Sequence, residues 1–108
     1  MARKRVVVIS PDHPALPGHF PGHPVVPGVL VLDEVVETLR EHYGQALVVI
    51  GLSSVKLSSP LLPGERLTIE VEPEDPETAV FFCRVDNRLV ATGSIRFRLS
   101  ADSRTIPQ

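Results

Sequence analysis

Six prolines, Pro11, Pro14, Pro17, Pro21, Pro24 and Pro27, fall within seventeen consecutive residues of this 108-residue chain, which has eleven in all. Each removes a backbone donor and holds φ at roughly −65°. Residues 11–27 therefore form neither a regular helix nor a central strand. The residues between the prolines include Phe20, Val25, Val26 and the histidines His13, His19 and His23. They suit an ordered loop laid over a core better than a solvated polyproline recognition segment. A long, stiffened loop in so small a chain is where function is to be sought.

Beyond the loop the pattern becomes regular. Pro27-Gly28 opens one helix, expected over residues 29–43, where Val29, Leu32, Val36, Leu39 and Tyr43 recur at spacings of three and four, joined by Val31 and Val35. So many valines make a poor isolated helix, and packing must hold it. Its broad apolar surface calls for a sheet wrapped around it, and Gly44 suits its end. Strands are expected over 5–9, 46–58 with a bend at Gly51, 66–72, 78–85 and 89–99. Turns fall at 60–64 and at Asp86-Asn87, and the acidic, proline-bounded residues 73–76 break a strand. Leu67, Ile69 and Val71 share one face of their strand. In the last strand Leu89, Ala91, Gly93, Ile95 and Phe97 take one face, and Val90, Thr92, Ser94, Arg96 and Arg98 the other. Residues 100–108 read as a loose tail. The expected fold is a single α+β domain over 1–108, a mainly antiparallel sheet with one helix on its face. Such a sheet leaves edges to cover, which makes a homodimer the economical solution.

Composition excludes several classes. Hydrophobic residues make up 43% and charged residues 22%, as in ordinary soluble domains. The longest apolar stretch, 25–32, is broken by Pro27 and Gly28 and is too short to span a bilayer. Only Val6 to Ile9 follow the basic start Met1 to Arg5, too few for a signal peptide, so a cytoplasmic protein is expected. A formal net charge of −2 argues against nucleic acid. The lone Cys83 excludes an internal disulfide and reads as a packed strand residue rather than a nucleophile. Asp12, His13, His19 and His23 match no defined metal-site spacing.

Chemistry concentrates between His19 and Asp33. His19 can exchange a proton near neutral pH and sits in a stiff segment, Phe20-Pro21-Gly22. Gly28 marks a helix start, where backbone N–H groups lack partners and negative charge is favoured. Asp33 lies about a turn and a half further on; among apolar walls, desolvation would keep it protonated. It also shares a stripe with Leu30, Glu37 and Arg40, the solvated edge of an ordinary amphipathic helix. Residue types alone leave both readings of Asp33 open.

The run His19-Phe20-Pro21-Gly22, Pro24-Val25, Pro27-Gly28-Val29-Leu30 and then Asp33 resembles the signature of the 3-hydroxyacyl-acyl-carrier-protein dehydratases of fatty-acid synthesis. The likeness continues more weakly through Lys56 to Pro60, Pro63 to Leu67 and Val85 to Ala91. The resemblance implies a hotdog fold, a sheet wrapped around one helix. It makes His19 the base that takes the α-proton, Asp33 the acid that helps the 3-hydroxyl leave, and Gly28 N–H the donor to the thioester oxygen. Phe20, Pro21, Gly22, Val26, Pro27 and Val29 would line the substrate tunnel. It further implies that each site takes its histidine and its acid from different protomers. The substrate would be a pantetheine thioester, on acyl carrier protein or coenzyme A, with no redox cofactor or metal. Carrier proteins are acidic, so Lys56, Arg66, Arg96 and Arg98 are candidates for docking. Two positions depart from the family: Glu34 replaces a small residue after the acid, and Glu37, placed to act on Asp33, replaces a frequent glutamine. A second carboxylate near the acid would alter its titration. The short stretch before His19 is similar to compact relatives in accessory acyl or polyene pathways. Aspartate as the acid also occurs in the branch that isomerises the double bond. A hotdog thioester hydrolase and a silent acyl-carrier-binding or partner subunit are the alternatives.

Overall fold

A computed structural model describes residues 3–13 and 25–99. In chain order the elements are β1 (Arg3–Val8), α1 (Gly28–Tyr43), β2 (Leu47–Leu57), β3 (Arg66–Asp75), β4 (Thr78–Val85) and β5 (Arg88–Leu99). The strands form one sheet in the order β1-β3-β4-β5-β2, antiparallel at every junction. This is the expected α+β arrangement. The tail at 100–108 and most of the proline loop, 14–24, lie outside the described residues.

The helix begins where the sequence allows it to. Pro27, at φ −58° and ψ 142°, delivers an extended chain into Gly28, and among the described residues no side chain caps the first turn. Gly44 ends the helix in a left-handed conformation, φ 102°, its N–H donating to Arg40 O at 2.7 Å. One stripe, Val31, Val35, Thr38 and Leu39, is buried against the sheet. The inner face opposite is built by alternation: Leu67, Ile69 and Val71 on β3, Ala79, Phe81 and Cys83 on β4, Ala91, Ile95 and Phe97 on β5. Arg5 of β1 crosses to the helix, pairing with Glu34 Oε1 and Glu41 Oε2, both at 3.0 Å. It also donates to Glu34 O and to the buried Thr38 Oγ1. Burial pushes the Cys83 thiol up to about 12, which fits packing and not nucleophilicity.

Three local expectations need correction. Residues 73–76 do not break β3, which continues to Asp75 with Pro73 opposite Ala79. Pro73 has no N–H to give, and pairing with β4 on both sides of it, Glu72 with Val80 and Asp75 with Thr78, carries the strand past it. Val90 does not join the outer face. Cys83 opposes Ala91 whereas Arg84 opposes Leu89, so Val90 is the extra residue of a bulge and is buried at 2% exposure. The bend in β2 is a bulge at Ile50, between Val49 opposite Phe97 and Gly51 opposite Arg96. A second irregularity follows Ser53, where Ser54 takes φ 54°.

Among the described residues β2 has a strand neighbour on one side only, and Val48, Ile50 and Leu52 on it are exposed. At the sheet centre the Phe81 ring covers Gly93 opposite it. A Cβ on Gly93 would come within 2.7 Å of Phe81 Cζ and 3.1 Å of Val55 Cγ2. Gly93→Ala therefore forces a buried ring aside and should destabilise by about 1–3 kcal/mol. In a thermal melt each kcal/mol should lower Tm by roughly 4–8 °C for a domain of this size. An unchanged Tm would show that the ring is free to move.

Candidate active site

A pocket of about 460 Å³ opens at the N-terminal end of α1. Val25, Val26, Pro27, Gly28 and Val31 form one side, Leu57 to Leu61 the other, and Val90 contributes as well. Its lining is mostly apolar, set beside helix N–H groups that no side chain among the described residues caps. That pairing suits an apolar ligand with one oxygen that gains negative charge. The two sides are tied together: Val26 N donates to Leu61 O at 2.8 Å. Gly28 lies so close to Leu57 that a Cβ would meet Leu57 Cδ1 at 2.8 Å.

Sequence reasoning identified Val26, Pro27 and Gly28 and missed the opposite wall. Leu57 to Leu61 read as a strand end followed by a turn, and Val90 as an outward residue. The bulge that turns Val90 inward leaves no mark on a period-two pattern. His19, Phe20, Pro21 and Gly22 fall in the part of the loop outside the described residues. Val29 does not line this pocket; it is 63% exposed.

Asp33 is exposed in the single chain, on the side of α1 away from the buried stripe, where the solvated edge of an amphipathic helix lies. The two neighbouring carboxylates each hold a cation. Glu34 pairs with Arg5, and Glu37 with Arg40 Nη1 at 3.1 Å. Each acidic departure at 34 and 37 thus has a cation beside it, Arg5 being shared between Glu34 and Glu41.

The four basic docking candidates separate. Lys56 opposes Thr92 and adjoins Leu57 of the pocket wall. Arg66 opens β3 at the same end of the sheet, three strands away in the order, or about 14 Å. Arg96 and Arg98 lie four and six residues beyond Thr92 along β5, roughly 13 and 20 Å from the pocket end. No helix of the described residues is long and apolar enough to cross a membrane.

The ApeI-like family, described as ApeI dehydratase, matches residues 3–94. The 3-hydroxyacyl-[acyl-carrier-protein] dehydratase FabZ of Ruminiclostridium cellulolyticum is 30% identical over 111 residues, covering 90% of this chain and 78% of that protein. The dehydratase heterocomplex ApeI:P from Xenorhabdus doucetiae aligns with TM-score 0.79 at 24% identity, over 89% of this chain and 86% of that one. A probable thioesterase from Bartonella henselae aligns with TM-score 0.72 at 14% identity, over 89% and 87%. At those identities the structures establish the fold alone, the hotdog, and hosts of different activities share it. The family match over most of the chain, together with the FabZ relative, settles the affiliation: this chain belongs to the ApeI-like dehydratase family.

Proposed function

We propose that the chain converts 3-hydroxyacyl thioesters, carried on the pantetheine arm of an acyl carrier protein, to trans-2-enoyl thioesters and water. The observation that carries this reading is the apolar pocket at the uncapped start of α1, directly after the His19 loop and shortly before Asp33. His19 takes the α-proton. The electron pair moves toward the thioester carbonyl, whose oxygen the Gly28 N–H steadies. It then returns to form the double bond as the 3-hydroxyl, protonated by Asp33, departs as water. These proton transfers call for no redox cofactor and no metal. Lys56, which adjoins Leu57 of the pocket wall, suits an acidic carrier better than Arg66, Arg96 and Arg98 do.

The site is completed by a second copy. Asp33 faces outward in the single chain, Val29 beside it on the helix is exposed, and β2 offers an apolar edge. Pairing of two β2 edges about a two-fold axis would cover that edge, and the family resemblance implies that the acid of one protomer then serves the histidine of its partner. A second reading replaces the second copy with a different hotdog subunit. The ApeI:P dehydratase, a heterocomplex of similar fold, is the observation in its favour.

Hydration of crotonyl pantetheine, followed by loss of conjugated-enoyl absorbance, tests the reading. Wild type should turn over, and His19→Ala and Asp33→Asn should each lose ~10²–10⁴-fold in kcat while remaining folded. Turnover in a solution whose mass is that of two copies supports the homodimer. A folded wild-type protein inactive on short and medium chains, on pantetheine and on carrier protein alike, contradicts catalysis by this chain alone and favours the partner-subunit reading. Gly28→Ala adds a finer check. The new methyl displaces the exposed, movable Leu57 into the pocket. Tm should change little, and KM should rise on the order of tenfold, the usual effect of a methylene-sized misfit in an apolar pocket.

A further inference from the structure

Arg88, at the start of β5, holds the wall of the pocket that faces the helix. Its Nη2 lies 2.7 Å from both Oε1 and Oε2 of Glu65. Its Nη1 donates to Pro60 O at 2.6 Å and reaches Ser59 Oγ at 3.4 Å. Glu65 Oε1 also accepts from Leu62 N at 2.8 Å, so the carboxylate closes the loop upon itself. Ser59 Oγ donates to Leu89 O, and Ser58 N to Val90 O, both at 2.8 Å. The whole connection between β2 and β3 is thus fastened to β5 from its first residue to its last. From Leu61 O the chain of bonds passes to Val26 N, two residues before Gly28.

An exposed ion pair alone contributes little. This one is two-oxygen, reinforced by a backbone carbonyl and joined to two walls of a pocket, so its effect falls on geometry. We propose that Arg88 is a positioning residue of the acyl pocket: through Glu65 and Pro60 it sets the wall formed by Ser58 to Leu61, and through Leu61 and Val26 the placement of Gly28. The inference rests on the reading that this pocket receives the acyl thioester. The Leu62 N–H first, then the Arg88 guanidinium, hold the Glu65 carboxyl below its usual range. The fastening is therefore present at neutral pH and is lost only as pH falls through that lowered value.

Calorimetric binding of hexanoyl pantetheine, a saturated thioester with no 3-hydroxyl or double bond to react, tests this without requiring turnover. Arg88→Gln should weaken binding about tenfold, as a wall displaced by an ångström would. In the crotonyl pantetheine assay the same variant should raise KM by a similar factor and also lower kcat, because Gly28 is displaced from the thioester oxygen. Arg88→Lys, which keeps the charge but not the fork, should weaken binding nearly as much. Arg84→Gln, which breaks a looser single contact with Glu70 at 3.6 Å on the neighbouring strands β4 and β3, should leave binding unchanged. A lower Tm in Arg88→Gln with hexanoyl pantetheine bound within twofold of wild type would overturn the inference. Should that variant not fold, Arg88→Lys decides by the same criterion. Wild type that binds hexanoyl pantetheine but does not hydrate crotonyl pantetheine would contradict the dehydratase reading and leave the role of Arg88 standing.

Discussion

Burial of one stripe of α1, Val31, Val35, Thr38 and Leu39, on the inner face of the sheet is the contact on which the remaining geometry depends. A valine-rich helix with no side-chain cap has little stability of its own. Packing therefore decides where it lies and how it is rotated. Once that stripe is inward, Asp33 is necessarily outward, and Gly28 at the helix start lies against Leu57 and the pocket. Arg5 fixes the rotation from the other side by gripping Glu34, Thr38 and Glu41. The site is a consequence of the same packing that makes the core.

Much of this was legible in the residues. The alternation of Leu67, Ile69 and Val71, the helical spacing from Val29 to Tyr43, and the turn at Asp86-Asn87 each follow from local rules, and the elements appear where those rules put them. Asp86 takes φ 54°, a conformation aspartate tolerates. Local rules fail where a distant strand decides. Pro73 stays in β3 because β4 pairs along it, and Val90 is buried because β5 carries one residue more than β4. Arg88 and Glu65 are 23 residues apart, and nothing in either neighbourhood marks them as partners.

The candidate site was legible in a different way. Its central run was recognisable by resemblance, but the meaning of the unusual Glu34 and Glu37 was not. Their countercharges, Arg5 and Arg40, explain how a helix tolerates three carboxylates within five residues. Arg40 is three residues from Glu37 and could have been foreseen; Arg5 belongs to another element. The packing that buries Val31 and Val35 also turns Asp33 away from the chain's own core.

The central claim, that a working site joins His19 of one protomer to Asp33 of its partner, is tested most directly by mixing. His19→Ala and Asp33→Asn proteins, each inactive, would be unfolded together, refolded, and assayed for crotonyl pantetheine hydration. If the site is shared, each hybrid dimer has one intact site of two, and random pairing should restore about a quarter of wild-type activity. A refolded mixture that forms hybrid dimers yet remains as inactive as its components would contradict the account.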